Sequence, residues 1–251
     1  MATDPKDSPE RELARRTRRS FTVLGAGAVA GVAGWTLMNI GAGEGDIPPG
    51  FRRVLGFNEG VVRNVLFSNE HLARTYPPSA VGNIKVNGDI GMDDDSELAD
   101  WKLTVTPFQS SGTTSKLTLA DIRSLPRYEE IIDFKCVEGW STITQFAGAR
   151  LSDFTVKFAR GSEKAQCVGL KTPDEEYYVS LDMPSALHPQ TLLAWEMNGQ
   201  PLTEEHGAPL RLVTPVKYGI KNIKRIGSIE FTDSRPGDYW AERGYDWYAG
   251  L

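Results

Sequence analysis

The chain has 251 residues and a formal net charge of −5, with 40% hydrophobic and 24% charged residues. That length supports one domain with a sizeable core plus extensions, and the acidic balance removes any general electrostatic argument for nucleic-acid binding. The 2 cysteines exclude a disulfide-rich scaffold.

The N-terminus differs from the rest. Residues 1–20 are polar and charged and read as disordered in isolation. Arg15-Arg16-Thr17-Arg18-Arg19-Ser20-Phe21 then leads into an uncharged, Gly/Ala-rich stretch from Gly25 to Gly43. Within it, Thr17 to Phe21 resembles a twin-arginine export signal, and the basic-then-apolar order has the shape of a signal peptide. Residues 1–43 are therefore expected to be a signal or a membrane anchor. The glycines weaken the anchor reading, and Gly41-Ala42-Gly43 is the nearest candidate for cleavage. The export machinery is the implied partner, and a periplasmic or other extracytoplasmic location the implied destination. Residues 44–60, with Pro48 and Pro49, read as a linker. Residues 61–251 form the expected domain.

Along that domain, Val81–Val86 and Trp101–Thr106 have strand patterns, separated by the acidic loop Asp93-Asp94-Asp95, read as solvated. Thr118 can cap a short helix, Leu119–Leu125, stopped by Pro126. Tyr128–Val137 is a long strand. Leu151, Phe154 and Phe158 give Phe146–Phe158 a helical spacing. Cys167–Leu170, Tyr177–Leu181, Leu192–Met197, Leu210–Thr214 and Ile226–Phe231 read as short strands. Many short strands with few short helices make a β-rich α+β domain.

Cys136 closes the long strand. Ile132, Phe134 and Cys136 fall on one face, Asp133 and Lys135 on the other, with Gly139 and Ser141 favouring a loop after it. A thiol is thus presented where a strand ends. It could serve as a soft metal ligand or simply as a small buried residue. Cys167 reads as strand packing. Farther on, Arg211, Lys217, Lys221 and Lys224 crowd into 14 positions interrupted by Pro215 and Gly219. They could converge on an anion or form a solvated face.

Two blocks decide between these readings. Phe134-Lys135-Cys136-Val137-Glu138-Gly139-Trp140-Ser141 resembles the molybdenum-ligand segment of the sulfite oxidase-like, molybdopterin-dependent oxidoreductases, in particular the branch of periplasmic methionine sulfoxide reductase catalytic subunits. The stretch His206 to Lys224 resembles that family's pterin-phosphate-binding segment, and the resemblance covers roughly residues 55–235. It implies a sulfite oxidase-like fold and a molybdenum–molybdopterin cofactor with the metal ligated by Cys136. It also implies two-electron oxygen-atom transfer. Residue by residue, it suggests Arg211, Asn222 and Lys224 as phosphate contacts, joined by backbone N–H groups of the turn through Ile223. It places Thr172, Asn69 and His71 at further cofactor contacts, and His188 in a structural turn. His206 departs from the pattern, which has Asn before Gly-Ala-Pro, yet can still donate to the pterin.

Glu138 is two residues beyond the ligand, where a carboxylate could relay a proton or only shape the site. Trp140 and Tyr218 could wall the entrance. Sulfite-oxidising relatives carry an arginine shortly after the cysteine; Val137 to Ser141 has none. That moves the expected substrate from sulfite to a neutral S-oxide or N-oxide, small or protein-bound. The tail from Pro236 to Tyr248 is rich in aromatics, suited to edge packing, to a substrate mouth or to docking a redox partner. Lacking a Cys-x-x-Cys-His haem motif, the chain is expected to exchange electrons with a separate protein such as a membrane haem protein. The alternative is a non-catalytic exported module that holds an anion through Arg211, Lys217 and Lys224.

Overall fold

The computed structural model describes residues 9–40, 47–92, 100–109 and 113–251. The Asp93–Asp95 loop lies outside the described residues. The chain divides into two units, Met1–Val54 and Leu55–Leu251.

In the first unit, helix α1 spans Pro9–Asn39. Residues 9–20, expected to be disordered, are thus helical. Phe21, Leu24, Val29, Val32 and Trp35 on α1 are exposed. Among the described residues, no helix is long and apolar enough to cross a membrane. Helix α2, Pro49–Val61, occupies the stretch read as a linker. Its first residue is a proline, whose missing N–H costs nothing at that position.

The second unit is built on two sheets. The first runs in the order β2–β1–β10–β5–β6. Its strands are β1 (Leu103–Thr106), β2 (Ser115–Leu117), β5 (Cys167–Lys171), β6 (Tyr178–Asp182) and β10 (Ser228–Thr232). Only the β1–β10 pair is parallel. The second sheet is β3 (Tyr128–Lys135), β4 (Ser141–Arg150), β7 (Leu192–Met197) and β8 (Gln200–Pro201), with β9 (Arg211–Val213) also on β7. One core collects residues from both: Leu103, Val105, Leu170 and Ile229 from the first, Ala149, Leu193, Trp195 and Leu212 from the second. Each such large side chain removed from water contributes roughly 1.5–3 kcal/mol.

Local signals explain the helices. Thr118 and Asp121 form a reciprocal capping box that starts α3, Leu119–Arg123. Helix α4, Leu151–Phe158, buries Leu151 and Phe154, the spacing seen in the sequence, and a short α5, Met183–Ala186, follows β6. That spacing belongs to α4 alone, because Phe146 to Arg150 continue strand β4 and pair with β7. Gly148 is required there: a Cβ would come within 2.0 Å of the Leu193 carbonyl oxygen. Ser141, expected in a loop, already opens β4.

Val81–Val86, expected as a strand, forms none. The Gly82 N–H does donate to the Ile143 carbonyl at 2.9 Å. The next position on that edge of β4 is taken by Asn198, which exchanges backbone and side-chain bonds with Gln145 and donates to the Gly82 carbonyl. A side chain has replaced the ladder.

The C-terminal segment is pinned by buried charge. Lys221 pairs with Asp238 and donates to the Ser180 carbonyl, its side chain 1% exposed. Asp238 also accepts from the Ser180 N–H and, through its other oxygen, from Ala241, capping α6 (Tyr239–Glu242). Lys217 lies 3.8 Å from Asp182 and over the Tyr248 ring. Lys221→Met would leave Asp238 buried without its cation and should cost about 3–5 kcal/mol. Urea denaturation measures this; a loss under about 1 kcal/mol would show that the pair does not hold the segment.

Candidate active site

The β3–β4 hairpin delivers the thiol. Lys135 is the last strand residue and Cys136 the first beyond it. The Cys136 N–H donates to Trp140 at 2.9 Å and the Gly139 N–H donates back to Cys136 at 3.1 Å. Gly139 sits at φ +88°, where a side chain would be strained. The turn is therefore tight and holds buried Cys136 in one place. The Asn87 amide nitrogen lies 3.7 Å from its sulfur.

Glu138 is exposed, two residues on. It accepts from the Trp140 indole N–H at 3.0 Å. Hydrogen bonds from Trp140 and Asn87, with the charge of Lys85, hold its carboxyl below the usual range. It is thus an anion at neutral pH: a hydrogen-bond acceptor rather than a proton donor.

The basic cluster divides. Lys217 and Lys221 turn inward to the carboxylates described above. Arg211 and Lys224 face the cleft that holds Cys136, which has a volume of about 190 Å³. Arg211 is buried; its guanidinium donates to the carbonyls of His206 (3.0 Å) and Asn222 (3.3 Å), while its Nε finds no partner among the described residues. The Phe134 and Phe146 rings flank it. Burial lowers its pKa to about 10, so it stays charged at neutral pH. Lys224 donates to the carbonyls of Asn87, Gly88 and Glu205 at 2.8, 2.9 and 2.7 Å. Burial first, then the charge of Arg211, lowers it to about 8. Neither cation has a carboxylate within ion-pair distance among the described residues.

His206 lines the same cleft, and burial followed by the charges of Arg211 and Lys224 keeps its imidazole neutral. Asn222 also lines it, but its side chain is committed to the chain itself, accepting from Thr214 N–H and donating to Tyr218. Ile223 is a core residue. The backbone N–H groups of Ile223 and Lys224 find no acceptor among the described residues.

Three expected residues are not brought to this cleft. Thr172 closes the β5–β6 turn, its hydroxyl engaged with Asp174 and Tyr177. Asn69 and His71 are exposed in and just after a turn elsewhere. The His71 carbonyl faces buried His188, whose other ring nitrogen accepts from Gln190 N–H, a structural role that matches its expected turn. Conversely, Lys85, Asn87, Ile90 and Tyr177 line the cleft although no motif or periodicity points to them. Nothing local marks Asn87, which reaches Cys136 across 49 positions of sequence. Trp140, Trp240 and Tyr245 line the cleft; Tyr218 does not.

Residues 90–240 match the family described as the oxidoreductase molybdopterin binding domain. The chain belongs to this family. Among its relatives, an Azospira oryzae protein with the provisional name of a protein-methionine-sulfoxide reductase subunit is 36% identical, the match covering 75% of this chain and 72% of that protein. The protein-methionine-sulfoxide reductase catalytic subunit MsrP of Campylobacter jejuni is 30% identical, covering 94% of this chain and 81% of its own. The crystal structure of the sulfane dehydrogenase SoxCD from Paracoccus pantotrophus superposes with a TM-score of 0.50 at 18% identity, over 57% of this chain and 40% of that one. The fold is therefore the sulfite oxidase-like one, and the chain is a molybdopterin oxidoreductase.

The residues present suit that cofactor. Burying the phosphate of a molybdopterin takes cations and N–H donors, and a thiolate is a ligand of suitable softness for its metal. Arg211 supplies an uncompensated charge with an orphaned N–H, and Cys136 supplies sulfur in the same cleft. The cation character of Lys224 is present below about pH 8 and lost above it. Sulfate binding to cofactor-free protein should weaken about tenfold between pH 7 and pH 9, and Lys224→Arg should flatten the profile. Isothermal titration across that range is the check.

Proposed function

We propose that this chain reduces a neutral S-oxide, with methionine sulfoxide as the favoured substrate, while sulfite oxidation is disfavoured. The observation that carries the reading is one cleft joining the Cys136 thiol to a charged Arg211 without a carboxylate partner. The relatives' names support the sulfoxide. The non-catalytic alternative loses its basis, because Lys217, one of its three anion ligands, is turned away to Asp182 and Tyr248.

In this reading, the Cys136 thiolate holds the metal. Arg211, Lys224, neutral His206 and the N–H groups of Ile223 and Lys224 hold the pterin and its phosphate. The molybdenum cofactor, when bound, supplies two-electron oxygen-atom transfer. The chain's own residues orient and screen. Asn87 fixes the sulfur, and Lys224 holds Asn87 by its carbonyl. No arginine stands shortly after Cys136 to hold sulfite; ionised Glu138 accepts hydrogen bonds at the mouth, with the charge of Lys85 beside it. Overall, a sulfoxide takes two electrons and two protons and leaves as a thioether and water. Electrons come from a separate redox protein, with a membrane haem protein as the expected kind. The Thr17–Phe21 motif supports export to the periplasm by the twin-arginine route.

Cys136→Ser should abolish activity and molybdenum retention while the circular dichroism spectrum stays that of the wild type, because a hydroxyl is a poorer ligand for this metal. Full turnover by the serine variant would end the assignment. Arg211→Ala should lower cofactor affinity about ten- to a hundredfold, from charge-assisted bonds of roughly 1.5–3 kcal/mol. Pterin content after dialysis measures it, with Lys116→Ala as the unaffected control. For export, Arg18→Lys with Arg19→Lys should leave the protein in the cytoplasm on cell fractionation.

A further inference from the structure

Two walls lead away from Cys136. One passes through Asn87 to Lys224, Arg211 and His206, and ends in positive charge. The other begins at Gly219, where a Cβ would lie 3.3 Å from the Lys135 carbonyl oxygen and the Phe134 ring. It continues through Ile220, whose carbonyl accepts from the Tyr177 hydroxyl at 2.6 Å, and ends in aromatic rings.

Those rings come from the C-terminal segment. Tyr239 lies 5.3 Å from Tyr177, Trp240 lies 5.3 Å from Tyr239, and Tyr245 lies 5.1 Å from Trp240. The last two contacts are edge-to-face, the arrangement favoured by ring quadrupoles. The segment is held by Asp238, which caps α6 while paired to buried Lys221. Trp240 is therefore fixed before any ligand arrives. Even so, Trp240 is only half-buried and Tyr245 is 41% exposed, both at the cleft. The wall is rigid, apolar and uncovered.

We propose that Trp240 and Tyr245 receive the apolar stem that carries the sulfoxide group and determine which oxides the enzyme accepts; this rests on the reading of the chain as an S-oxide reductase. The chemistry fits the rings. The sulfur of a sulfoxide is electron-poor, and the hydrogens of the methylene stem beside it are polarised toward positive, so the negative face of an aromatic ring attracts them. Wrapped against the rings, that stem leaves the oxygen free to point at the Cys136 side. An inorganic anion has no apolar stem to place there.

The test compares the methylamide of N-acetylmethionine sulfoxide, an uncharged sulfoxide with an apolar stem beyond its sulfur, with dimethyl sulfoxide, using the molybdenum-loaded enzyme and a reduced viologen donor. Trp240→Ala and Tyr245→Ala should each raise KM for the methylamide about tenfold and leave kcat within about threefold. The preference over dimethyl sulfoxide in kcat/KM should fall about tenfold. Trp240→Phe should recover most of both. If the wild type reduces neither sulfoxide, the S-oxide reading itself fails, whatever the variants do. If the wild type reduces them and both alanine variants keep its KM and preference, the wall assignment is overturned. A fall in kcat at unchanged KM also overturns it. Should Trp240→Ala lose molybdenum, Tyr245→Ala alone decides, because its exposed ring supports no core.

Discussion

A permanent positive charge at the floor of a cleft is the constraint around which this molecule is organised. Arg211 enters from a short strand in the second sheet, and burial would be costly if its N–H groups met nothing. The carbonyls of His206 and Asn222 and two phenylalanine faces meet part of it. That ties together β9, the turn before it, the turn after it and the Cys136 hairpin. Those carbonyls use two of its five N–H groups. The other three, the buried Nε one among them, and the charge itself remain for a ligand.

The same stretch of chain serves two masters. Lys217 and Lys221 face one way and secure the C-terminal segment; Lys224 faces the other and secures the loop bearing Asn87. Irregular backbone between them, with a 3₁₀ turn at Gly219–Lys221, separates their directions. The basic side of the cleft and its aromatic wall are consequently parts of one packed unit, and disturbance of either should be felt by both.

Much of this is legible in the sequence where the governing forces are local. Alternation around Phe134 marks the strand and its exposed end, Thr118 marks a helix start, and the two motif blocks mark the family. Long-range partnerships are not legible. Asn87 and Thr172 illustrate the difference: one reaches the sulfur from a loop with no periodic signal, while the other, in a strand end of plausible spacing, is used up closing its own turn. Lys217 and Lys221 read as members of one basic cluster with Arg211 and Lys224, because sequence shows charge but not the carboxylates of Asp182 and Asp238 that claim it. Phe146 to Arg150 read as helix and are strand, because short apolar runs fit either period. Only pairing with β7 decides.

Gly207 carries a consequence beyond its own turn. It sits at φ +96°, and a Cβ there would come within 2.7 Å of the Lys224 side chain and 2.9 Å of its backbone. The position carries no functional atom of its own, yet it is where the turn after His206 presses against the backbone of Lys224 and Arg225 without space between them. Any side chain there is therefore disfavoured by space and by backbone conformation together. The close fit of this segment rests on an atom that is missing rather than on any that is present.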